Sequence, residues 1–161
     1  MTASPRRPYE GTTTTIASSR DAIESLLKKA GCKNISHHNE QPADDITAVY
    51  VEFRHKENGA DYEYRLRVPV DMKALQRKTG ETWEKAETRE LMRVWRVLYW
   101  QTKRRLEAVE EGVSEWRREF GWDTVEPNSG LTVWDVMHKA DMFGRLAVGG
   151  PGLPLLSAGA Q

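Results

Sequence analysis

Two alternating runs flanking Asn58-Gly59 constrain this chain more tightly than any other feature of it. Thr47 to His55 and Ala60 to Val68 each alternate in character, the period of a strand with one buried face. Asn-Gly is the residue pair that tolerates a type I′ turn. Closing a hairpin there pairs Glu57 with Ala60 and sets every later partner. One face then matches Phe53 with Tyr64, Val51 with Leu66 and Val49 with Val68. The other matches Arg54 with Glu63, Glu52 with Arg65 and Tyr50 with Arg67. A slip of one residue would put each apolar side chain on the wrong face. Each charged pair contributes at most ~1 kcal/mol, so its value lies in agreeing with the apolar register. Pro69 has no amide to donate and ends the ladder.

The second constraint is a stripe. Leu91, Trp95, Leu98, Thr102, Leu106, Val109, Val113, Trp116 and Phe120 follow at steps of three and four. At about 100° per residue they fall within a sector of roughly 80°, the core-facing side of a helix. The spacing predicts one long amphipathic helix or two helices in phase. Because the stripe keeps phase across Gly112, a continuous or slightly bent rod is favoured, although glycine costs about 1 kcal/mol mid-helix. Thr82 can cap this helix, Glu84 and Glu87 suit its positive end, and Gly121 can terminate it.

Before the hairpin, Thr12 to Ile16 is β-branched and reads as an edge strand or an extended lead-in. Ser18 and Asp21 have capping spacing, and Ile23, Leu26, Leu27 and Ala30 share a face. A helix is therefore predicted from about Arg20 to Ala30, closed by Gly31. Cys32 to His37 reads as a short strand and Asn39 to Asp45 as a polar loop. After Pro69 comes a connector, Asp71 to Gly80, with a helical turn around Met72 to Gln76. Beyond the long helix, Trp122 to Gly130 is a turn-rich link. Thr132 and Asp135 repeat the capping spacing before a short helix with Val133, Met137 and Ala140 on its apolar face. The expected fold is α+β: an N-terminal helix, a small antiparallel sheet with a central hairpin, a long helix packed on the sheet, and a short C-terminal helix folding back on the long one. The expected organisation is a flexible arm over 1–11, a single domain over 12–145, and a flexible tail over 146–161.

Composition narrows the function classes. The 161 residues are 30% charged and 39% hydrophobic with zero net charge, so any electrostatic site must be a local patch. No apolar run approaches the ~20 residues that span a bilayer. Arg6 and Arg7 have no hydrophobic stretch behind them, which argues against a secretion signal. Cys32 is the only cysteine and agrees with a reducing compartment, so the expected location is the cytoplasm of a host cell.

Catalytic motifs are sparse. His37, His38 and His55 lie on or beside strands without the spacing of a zinc site, and read as surface histidines. Asp44-Asp45 and Glu110-Glu111 read as solvated pairs. Glu52 and Glu63 opposite Arg54 and Arg65 lack the E-x-K triplet of a PD-(D/E)xK nuclease core. Gly149-Gly150-Pro151-Gly152 lacks the lysine and helix of a phosphate loop, and Pro151 withdraws an amide. No enzyme activity, cofactor or metal is expected. What is left is the second face of the long helix, carrying Arg89, Arg93, Arg96, Trp100, Lys103 and Arg104. These could grip phosphates while Trp100 stacks on an unpaired base. Against that reading, acidic Glu90, Glu107, Glu110 and Glu111 dilute the field, and the stripe reads as a solvated face whose long side chains cover a neighbouring layer. In a third reading Tyr99 and Trp100 form an interface with another subunit.

Leu106-Glu107-Ala108-Val109 with Gly112, Glu119-Phe120, Gly130-Leu131-Thr132-Val133 and Leu153-Pro154-Leu155-Leu156 together resemble small uncharacterised proteins of tailed phages and prophages. The chain departs from that pattern at Gly121 to Glu126, where those proteins continue with a more apolar segment. The resemblance implies a phage origin and transfers no activity and no site residue. The expected function is that of a non-catalytic phage accessory protein acting through protein partners or self-association. The alternative is a nucleic-acid-binding protein using the basic helix face.

Overall fold

The computed structural model describes residues 7–71, 81–146 and 150. The helical turn expected at Met72 to Gln76 and the tail residues Leu153, Leu155 and Leu156 lie outside them. The architecture is α+β. Helix α1 (Ile16–Lys29) leads into strands β1 (Lys33–Glu40), β2 (Ala48–Glu57) and β3 (Ala60–Pro69). Helices α2 (Trp83–Glu110), α3 (Trp116–Phe120) and α4 (Val133–Lys139) follow. The strands form one antiparallel sheet in the order β1-β2-β3.

The hairpin has the register that its sequence dictates, from Glu57↔Ala60 through Phe53↔Tyr64 and Val51↔Leu66 to Val49↔Val68. Asn58 and Gly59 take φ of 51° and 84°, the left-handed pair of a type I′ turn. The apolar face of the hairpin is buried under α1 and α2, which contribute Ile23 and Leu27 from one side and Leu91, Val94, Trp95 and Leu98 from the other. At about 25 cal/mol per Å² of apolar surface, that layer contact is the main stabilising term. On the opposite face Arg65 Nε donates to Glu52 Oε1 at 3.0 Å. Arg67 forks Glu40 of β1 at 2.9 Å through each of two nitrogens. That fork helps explain why β1 runs on to Glu40, through residues expected in a loop.

Helix α1 begins earlier than the Ser18–Asp21 spacing suggests. Thr15 is its N-cap, accepting from the Ser18 amide at 3.1 Å, and Thr12 to Thr15 form a lead-in rather than an edge strand. The capping geometry simply occurs one step upstream. Gly31 closes the helix at φ 83°, with Cys32 N bonded to Leu27 O at 2.9 Å and Gly31 N to Lys28 O at 3.0 Å. Those two bonds make a Schellman cap.

The long rod is the main correction. Helix α2 ends at Glu110, and Gly112 takes φ 70°. Val113 N bonds to Ala108 O at 3.0 Å and Gly112 N to Val109 O at 3.1 Å, a second Schellman cap. Val113, placed on the core stripe by its spacing, is 76% exposed. The stripe keeps phase across Gly112 although the helix does not, because Trp116 and Phe120 of α3 rejoin the same core after the turn. Trp116 and Phe120 pack against each other at 4.4 Å between ring centroids, and both contact Phe53 and Tyr64 edge-on.

Past α3 the chain makes a 3-10 turn, Gly121–Asp123, and then runs along the free edge of β3. Val125 N donates to Glu63 O at 2.7 Å, and Thr124 bridges Tyr64. Thr132 and Asp135 form the capping box that starts α4. This helix packs on the Gly121–Asp123 turn, not on the long helix as its apolar face suggested.

Candidate functional site

The basic stripe on α2 was the one feature of the sequence with functional promise, and the structure accounts for its members one by one. Arg89 pairs with Glu81. Arg93, with its side chain 13% exposed, forks Glu90 at 2.7 and 3.0 Å. Lys103 reaches Glu107 at 3.5 Å, one helical turn on. Arg96 lies over the rings of Tyr99 and Trp100, at 4.4 and 5.3 Å from their centroids. Arg104 is exposed and, among the described residues, makes no ion pair.

Trp100 is not an open platform. Tyr9 lies parallel to it at 7° with centroids 6.4 Å apart, while Arg96 and Lys103 sit over its ring. Of the arm expected at 1–11, residues 7–11 are described, and Arg7 and Tyr9 of this stretch lie against α2. From Arg89 to Arg104 the helix rises about 22 Å, so the stripe does not converge on one point. Carboxylates pair with Arg93 and Lys103 at three and four residues along the helix, and Glu81 ahead of the helix pairs with Arg89. Sequence spacing could show which face each residue occupies but not which partner reaches it from other elements.

The histidines are dispersed. His38 stacks on Tyr50, His37 meets Trp95 edge-on, and His55 stacks on Trp116 at 3.7 Å. Burial lowers the pKa of His37 and of His55, favouring the neutral rings. Among the described residues no group of three or more His, Cys, Asp or Glu is placed to hold a metal ion. Burial pushes the Cys32 thiol up to about 12, far from a reactive thiolate. Nor is any helix of the described residues long and apolar enough to cross a membrane.

A different surface emerges at the C-terminal end. Trp122, on the 3-10 turn, and Trp134, in the first turn of α4, meet edge to face at 6.4 Å. Phe143 packs against both, at 5.7 and 4.9 Å. His138 lies parallel to Trp134 at 6.4 Å. Even so, Trp122 is 46% and Trp134 51% exposed. Sequence reasoning missed this group because its members come from three short, irregular segments. One signal was legible: Trp134 falls off the apolar face of Val133, Met137 and Ala140, so it had to point elsewhere.

The charge on this surface is modest. Asp123 is drawn inward to Arg105 at 2.6 Å, and burial raises its pKa despite that partner. Asp135 is committed to the helix cap. The arrangement is thus a cluster of indole and phenyl rings flanked by already-satisfied carboxylates, suited to apolar contact rather than to proton transfer. Comparison with known proteins gives no matching family model, no matching curated protein and no matching solved structure for this chain.

Proposed function

We propose that this chain is a non-catalytic protein that acts through protein–protein contact, using the Trp122–Trp134–Phe143 surface. The observation that carries the reading is the exposure of two tryptophans that are already packed on one another. An aromatic side chain can bury 150–250 Å², so two half-exposed indoles leave roughly 200 Å² in water. At about 25 cal/mol per Å² that is about 5 kcal/mol of burial available to a partner. Tryptophans that cluster in this way are typical anchors of an interface. The setting implied by the sequence resemblance is an accessory protein of a tailed phage or prophage, whose partner is a second copy or another protein.

The nucleic-acid reading is the weaker one, since Arg93 and Arg89 are held by Glu90 and Glu81 and the faces of Trp100 are occupied. A photo-reactive side chain introduced at His138, parallel to Trp134 on α4, tests the proposal in cells. It should cross-link to a protein, as a dimer of this chain or as a heavier adduct. The same group at Trp83, exposed on the first turn of α2, should not. Equal cross-linking at both positions, or none at His138, would remove the aromatic surface as the site.

A further inference from the structure

Between the C-terminal ends of α1 and α2 lies a groove of about 470 Å³, apart from the Trp134 surface and bordered by Lys103 of the basic stripe. Its existence follows from how the two helices stop. Arg20 lies over Trp95 near the start of α1, and Lys29 reaches Glu110 at the ends of both helices, so the two run parallel. Each ends at a left-handed glycine, Gly31 or Gly112, and the chain turns away there instead of crossing the gap. Leu26 and Ala30 line one wall, Leu106 and Val109 the other, and His55 and Trp116 complete the lining.

Two properties of this groove decide its ligand. First, its charges cancel. Lys29 pairs with Glu110 at 3.7 Å across the two helices, and Lys103 with Glu107 at 3.5 Å along α2. No uncompensated charge is left to hold an ion, and the negative ends of two helices disfavour an anion further. Second, the aromatic part is an ordered stack. The rings of His55 and Trp116 stack at 3.7 Å and 16°, a rigid pair fixed from behind by Phe53 and Phe120. A concave, largely apolar site of this size, with an aromatic wall and few polar groups, has the form of a small-molecule site.

We infer that this groove binds a neutral, planar aromatic small molecule, seated between Leu106 and Val109 on one side and Leu26 and Ala30 on the other, against the His55–Trp116 pair. The Lys29–Glu110 bridge spans the two helices and is exposed, so it can part and reclose as the ligand enters. This inference is independent of the protein-contact surface around Trp134.

Indole is a suitable probe, being neutral, planar and bicyclic. Titrated into the isotope-labelled full chain, it should give saturable amide shifts at Ala30, His55, Leu106, Val109 and Trp116. Indole-3-acetate and tryptamine, which carry a charge on the same ring, should each bind more weakly. Val109→Phe fills the groove and should weaken indole binding by at least about tenfold, equivalent to ~1.4 kcal/mol. Ala30→Met, from the opposite wall, should do the same if the first variant folds poorly. Absence of saturable shifts at these residues would overturn the inference, as would unchanged affinity in both filled variants. Tighter binding of either charged analogue would overturn the assignment of a neutral ligand.

Discussion

Arg7 grips the buried carboxylate of Glu90, its two terminal nitrogens 3.2 and 3.0 Å from the two oxygens. Arg93 forks the same carboxylate from within α2, and the Asp71 amide donates to it at 3.3 Å. One acidic side chain, 2% exposed, therefore joins the N-terminal stretch, the exit from β3 and the middle of the long helix. Glu90→Ala would leave two guanidinium groups facing a site they were folded around. Breaking a buried pair from one side costs about 3–5 kcal/mol. Urea unfolding of Glu90→Ala should show a loss of that size. A near-neutral result would mean that water replaces the carboxylate and that the three segments are held by other contacts.

The two glycines of positive φ in the hairpin and after α2 offer a matched pair of tests. Gly59 has φ 84° and Gly112 φ 70°, and an added Cβ at either would meet no neighbouring atom within 4 Å. Any destabilisation by alanine there is therefore a backbone effect. L-residues in this region cost about 1–2 kcal/mol, so Gly59→Ala and Gly112→Ala should each lower the melting temperature. If Gly112→Ala were instead stabilising, α2 and α3 would have to be one continuous helix.

Those glycines also show what the sequence could and could not disclose. The hairpin was legible in full because Asn58-Gly59 and the alternation of both strands agree on a single register. The break at Gly112 was not, since Leu106, Val109, Trp116 and Phe120 stay in phase whether the helix continues or turns and resumes. Burial of Glu90 was illegible because its partner Arg7 comes from a distant stretch that looked like a loose arm. Spacing alone puts the basic stripe on one helix face, but its neutralisation by Glu81, Glu90 and Glu107 depends on side-chain reach. Trp122, Trp134 and Phe143 were visible as residues, yet no periodic element joins them.

Acidification should destabilise the fold through two histidines. Burial is the first cause of the lowered pKa of His37 and His55, each below the ordinary 6.5. In that window the unfolded chain binds more protons than the folded one, so stability rises with pH. Their contribution is complete above pH 6.5 and is lost as pH falls through the folded values. Melting temperature measured against pH should decline on the acid side of neutrality. His55→Phe, which keeps an aromatic ring on Trp116, should flatten that decline; an unaltered profile would exclude His55 as a source.

Binding of single-stranded DNA should be weak and only slightly salt-dependent. Arg104 is the stripe's exposed cation with no carboxylate partner among the described residues, and Arg96 is engaged by two aromatic rings. One or two phosphates of a single strand neutralised would give a log–log salt slope of about −0.7 to −1.4. Arg96→Glu with Arg104→Glu should then change fluorescence anisotropy of a labelled oligonucleotide very little. A steep slope that this double reversal abolishes would restore the basic face as the functional surface.

Substitution of the surface tryptophans should separate stability from association. Trp134 lies half in water and packs on Trp122, Phe143 and His138 rather than in the main core under the sheet. Trp134→Ser should therefore cost about 1 kcal/mol, much less than the 3–5 kcal/mol typical of a tryptophan removed from a core. Trp95→Ala, which empties a fully buried position, should show that larger loss. If Trp134 anchors a partner, Trp134→Ser should abolish cross-linking from a photo-reactive group at His138, which lies parallel to Trp134 one turn on along α4, while the melting temperature falls only by the few degrees that ~1 kcal/mol implies. A second copy as partner would appear as a concentration-dependent increase in sedimentation coefficient that Trp134→Ser removes. Another protein as partner would leave the free chain monomeric and shift the cross-linked band instead. If Trp134→Ser unfolded the chain as readily as Trp95→Ala, the rings would be a second core and the interface would have to be sought elsewhere.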